Sequence, residues 1–170
     1  MPPTDRATPP LIADERDTLA GWLDFYRDTV VGKCEGLDED GWRSASVPPS
    51  PLTPLGLVQH LAEVERNWFR RVLLGEDAPA VYDSPSSTPG HDGGFDVGGE
   101  FTGEKALEVW REEVERSRAA CADRELDHRC PFGEGEVTLR WIQVHMIGEY
   151  ARHAGHADLI RERIDGATGV

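Results

Sequence analysis

Apolar residues recur at three- and four-residue steps over four long stretches of this chain, and Pro- and Gly-rich segments interrupt them. Each stretch predicts an amphipathic helix. The first runs from about Asp14 to Glu35 and turns Leu19, Trp22, Leu23, Tyr26, Val30 and Cys34 inward. The segment VPPSPLTP then breaks the chain. Thr53 followed by Pro54 marks the second start, a hydroxyl cap with proline at the first helical position. This helix carries Leu57, Leu61, Val64, Trp68, Val72 and Leu73 and closes at Gly75. Residues 82–100 are rich in Ser, Pro, Gly and Asp without apolar periodicity, which predicts a long loop. Its GGFDVGG run follows no strand and so is not a phosphate cradle. A third helix is expected from about Gly103 to Leu126, with Leu107, Trp110, Val114 and Cys121 inward. CPFGEGEVT connects it to a fourth, from about Leu139 to Ile164, ended by Asp165-Gly166. No strand alternation stands out. The expected fold is all-α, an up-down four-helix bundle in a single domain of residues 1–170, with 1–12 as a flexible N-terminus.

The fourth helix carries the densest chemistry, in HMIGEYARHAGHADLIRE. At about 100° per residue, Glu149, His153 and His156 fall about 40°, 80° and 20° from His145. Ile142 and Ile160 project onto the same arc, so these ionisable groups face the core. Imidazoles and a carboxylate resist desolvation unless something pairs or coordinates them. Glu149 and His153, spaced i,i+4, can reach one point. His60 lies on the inward side of the second helix, between Leu57 and Val64. Two imidazoles and one carboxylate leave coordination positions open, as catalytic metal sites do. The other reading is a set of hydrogen-bonded core residues. His145 and His156 stand in reserve, as partners that orient a ligand or as partly exposed residues. Glu63, one turn beyond His60, is either a general base or a solvated side chain. The carboxylates of EVWREEVER read as a solvated face with local ion pairs, and His91 and His128 as loop residues without a specific task.

Composition narrows the function. The chain has 170 residues, 18 basic and 32 acidic, for a net charge of −14. Such a surface repels phosphate backbones and anionic lipid, so neither nucleic acid nor membrane is an expected partner. No stretch is apolar enough to span a membrane, and the start MPPTDRATPP lacks signal-peptide features, which predicts a cytoplasmic protein. Cys34, Cys121 and Cys130 form no CxxC pair and read as buried or half-buried thiols.

The segments LVQHLAEVERNWFRRVLLGE and LRWIQVHMIGEYARHAGHADLIRERIDGATG resemble the DinB-like superfamily of metal-binding four-helix proteins. They are most similar to its actinobacterial branch of mini-circle proteins and mycothiol-dependent S-transferases. The resemblance implies a divalent metal held by His60, Glu149 and His153. Zinc suits these donors best, with nickel, iron or manganese as alternatives. Most of the superfamily has His where Glu149 stands, and HAGH replaces a common HRGQ, so that His156 stands where a glutamine is usual. The implied activity is conjugation of mycothiol or a similar low-molecular-weight thiol to electrophiles, a detoxification chemistry. A hydrolase using metal-activated water, or a non-catalytic metal-binding bundle, are the alternatives. A homodimer is compatible with the aromatic residues on the helices.

Overall fold

A computed structural model describes residues 6–82, 95 and 101–168. In chain order its elements are α1 (Glu15–Cys34), the single turn α2 (Glu39–Trp42), α3 (Pro54–Glu65), a π-helical stretch (Arg66–Leu73), α4 (Gly103–Ala122), β1 (Arg129–Phe132), β2 (Gly135–Thr138) and α5 (Leu139–Asp165). The chain divides into two compact units, Met1–Pro54 with Gln143–Val170, and Leu55–Ile142. Of the expected flexible start, residues 1–5 lie outside the described residues. So does most of the expected loop at 82–100, including His91.

In the first unit, Asp14 caps α1 by accepting from the Asp17 amide at 2.9 Å. The buried line of α1 is Leu23, Arg27, Val30 and Cys34. Trp22, expected inward, is instead 42% exposed and forms an aromatic cluster with Phe25 and Tyr26 at centroid distances of 5.8 and 5.9 Å. It lies one residue, and so about 100°, off the buried line. Arg27 is buried because it has partners: Asp24 at 2.9 Å and the face of Tyr150 at 5.9 Å. α5 contributes Met146, Tyr150, Ala154, Ala157 and Ile160 to this core.

Buried Arg161 of α5 satisfies the end of α1, donating Nη1 to the carbonyls of Lys33 at 3.1 Å and Glu35 at 2.7 Å. Burial pushes the neighbouring Cys34 thiol up to about 12, against a smaller opposing effect of Arg161. Cys34 is therefore expected to resist iodoacetamide in the folded protein at pH 8 and to react on unfolding. Rapid labelling under native conditions would contradict its burial. The turn α2 was not legible in the sequence, because four residues carry no periodicity. Asp38 caps it, accepting from the Gly41 amide at 2.8 Å, and Trp42 is buried.

In the second unit, every residue of α3 is buried. The helix then loosens into π-helical turns that pack against α4 and β1. Gly75, at φ 67°, ends the stretch, and the Glu76 amide donates to the Arg70 carbonyl at 2.9 Å, one residue further back than the long bond of a Schellman motif, in keeping with the wider π-helical turns. α4 begins at its Thr102 cap and ends at Ala122, four residues before the expected Leu126.

CPFGEGEVT is more than a connector. It contains an antiparallel hairpin that pairs Phe132 with Gly135 across a two-residue turn, so the chain is mostly helical but not free of strands. Gly133 at φ 58° occupies the first central position, where a type II′ turn takes glycine. Strands of four residues are too short to show alternation. The hairpin is anchored by Trp68, whose ring lies 5.1 Å from Phe132 and 5.3 Å from Trp141.

Candidate metal centre

On α5, the i,i+4 spacing brings His153 Nε2 to 3.6 Å from Glu149 Oε2. Both residues are buried, at 6% and 8% exposure. The second carboxylate oxygen, Oε1, accepts from exposed Arg152 at 3.1 Å. On the far side of the His153 ring, Nδ1 lies 3.3 Å from Nδ1 of half-buried His156. On α3, His60 is 5% exposed and its ring stacks on Phe95 at 4.2 Å between centroids. Among the described residues, His60, Glu149 and His153, all buried, are the His and carboxylate groups that could hold a metal ion.

The donor chemistry fits a divalent cation. Two ligands about 2.1 Å from a tetrahedral ion stand about 3.4 Å apart, close to the spacing of the Glu149 and His153 atoms. Glu149 keeps one carboxylate oxygen on Arg152 and turns the other toward His153, a carboxylate–imidazole pair of the kind that holds divalent cations.

The remaining expected residues fall elsewhere. His145 is half-buried on α5 and outside this donor set, and His128 is exposed. Glu63 is neither solvated nor available as a base. At 3% exposure its Oε1 accepts from the Val81 and Tyr82 amides, at 2.5 and 3.0 Å, and Oε2 faces Arg71 at 3.4 Å. It ties the chain after the π-helical stretch back onto α3. Burial, and then the Glu63 charge, push the Tyr82 phenol up. Replacing Glu63 with alanine would orphan two backbone donors and is expected to cost about 2–3 kcal/mol of stability in urea unfolding. A loss within experimental error would show that water replaces the carboxylate.

The EVWREEVER carboxylates also divide. Glu108 and Glu115 do make local pairs, with Lys105 and Arg118. Glu113, however, is buried at 3% exposure and takes both Arg66 and Arg70 on Oε1, the latter at 3.2 Å. Phe95 was missed as a neighbour of His60 because it sits alone in a glycine-rich run with no periodicity to mark it.

A buried His/Glu/His set carried by helices defines a candidate metal-binding helical protein. The chain belongs to the mycothiol-S-transferase family, whose model matches residues 18–166, and hence to the DinB-like superfamily. No curated protein and no solved structure gives a match.

Proposed function

We propose that this protein is a divalent-metal-dependent S-transferase that conjugates mycothiol, or a similar low-molecular-weight thiol, to carbon electrophiles. His60, Glu149 and His153 would hold the metal, with zinc the best match to their chemistry. The carrying observation is the family match over residues 18–166 together with the buried Glu149–His153 pair, whose ligating atoms lie 3.6 Å apart. The four long helical stretches are taken to form the up-down bundle that this family implies. The family match supports work in the cytoplasm, and among the described residues no helix is long and apolar enough to cross a membrane.

A divalent ion held by these residues would supply the charge that keeps a thiol sulfur deprotonated near neutral pH. The chain's own side chains set the conditions. Three protein donors leave room for an exogenous one, and the single charge of Glu149 leaves a divalent centre one unit positive, suited to an anionic sulfur. Cys34 and Cys130 are buried with thiols pushed up by burial, and no cysteine belongs to the donor set, so the sulfur arrives from solution. In the transfer a sulfur–carbon bond forms, the leaving group departs with its electron pair, and the thiol proton goes to solvent.

Cobalt-substituted protein tests this directly. Mycothiol is expected to raise an intense near-ultraviolet sulfur-to-cobalt band, and conjugation of a chromogenic electrophile should saturate over the same thiol concentrations. If no thiol perturbs the spectrum while simple esters or amides are cleaved, the transferase assignment is wrong and a hydrolase takes its place.

A further inference from the structure

We propose that His156 is a positioning residue for His153. Its Nδ1 accepts the Nδ1–H of His153 and thereby holds the opposite nitrogen, Nε2, unprotonated and directed at Glu149. The inference rests on the assignment of His153 as a metal ligand.

The two Nδ1 atoms are 3.3 Å apart and the rings meet at 70°, so they approach through their nitrogens rather than by stacking. At that distance one nitrogen must carry the proton and the other the lone pair. If His156 were the donor, neutral His153 would carry its proton on Nε2. That is the atom 3.6 Å from Glu149 Oε2, and a protonated nitrogen cannot ligate. If His153 is the donor, Nε2 keeps its lone pair on the side where the carboxylate stands. Only the second arrangement makes a ligand.

Burial reinforces the choice. His153 is 6% exposed, so an Nδ1–H without an acceptor would lose hydration that the protein must replace. His156 is half-buried and can carry its own proton on Nε2 at little cost. The i,i+3 spacing on α5 fixes both rings to one rigid helix, so the orientation does not depend on a loop. His156 is not itself in the donor set, which separates its role from ligation.

The test uses zinc alone. Wild type, His156→Leu and His156→Gln are compared for zinc affinity by chelator competition, with melting curves of the zinc-free proteins as a folding control. His156→Leu is expected to weaken binding 10–100-fold, the usual effect of removing a ligand's hydrogen-bond partner. His156→Gln, whose amide oxygen can accept from the same N–H, should recover most of it. Long-range nitrogen–proton NMR of the zinc-loaded wild type should show His153 protonated at Nδ1, with slow exchange that becomes fast in His156→Leu.

Equal zinc affinity in wild type and His156→Leu would overturn the inference and leave the ligand assignment standing. So would His153 bound through Nδ1. If wild type and His153→Ala bind zinc equally weakly, the ligand assignment fails and this inference with it.

Discussion

Alanine at His153 or at His60 is expected to lower bound divalent metal from about one ion per chain to a small fraction, and thiol-transfer activity with it. Each substitution removes one of three proposed donors. Outer hydrogen-bond partners of metal ligands are commonly worth 10–100-fold in affinity, so losing a ligand itself should exceed about a hundredfold. Elemental analysis of protein purified without an affinity tag measures the loss. His128→Ala is the control, since His128 is exposed and outside the donor set. Retention of the full complement in both His60→Ala and His153→Ala would remove the proposed centre altogether.

The second large effect is expected at Glu113, which is outside the donor set. Arg66 and Arg70 converge on its Oε1, and their side chains are only 12% and 17% exposed. Removing one partner of a buried pair strands the other's charge, which typically costs 3–5 kcal/mol. Glu113→Ala should lose about 3 kcal/mol, near the lower end, because Arg70 keeps some solvent and a second carboxylate, Glu76, at 2.7 Å. Glu113→Gln should lose less, since its amide oxygen still accepts. Equilibrium urea unfolding gives both values. A loss under about 1 kcal/mol for Glu113→Ala would mean that the π-helical stretch and α4 are held by apolar packing alone.

What the sequence could and could not show divides along range. Caps and stops are local, so Asp14, Pro54, Gly75 and Gly166 mark helix boundaries within a residue or two of those observed. The i,i+4 relation of Glu149 and His153 is likewise fixed by helical period and survives intact. Charges were misjudged wherever the partner is distant or supplied by backbone. Glu113 looks solvated until Arg66, 47 residues away, is placed beside it. Glu63 looks solvated until the amides of Val81 and Tyr82 fold back onto it. The π-helical turns leave no mark in composition, and the hairpin is too short to alternate.

The placing of the three cysteines bears on durability. A catalyst that brings nucleophilic sulfur to reactive carbon is exposed, turnover after turnover, to reagents that alkylate any accessible thiolate. Here Cys34 and Cys130 are buried with their thiols held protonated, and Cys121 is half-buried on α4. If the chain carries out the proposed transfer, two of its three thiols are kept from the electrophile by burial, which leaves Cys121 as the thiol through which the protein would consume itself as it works.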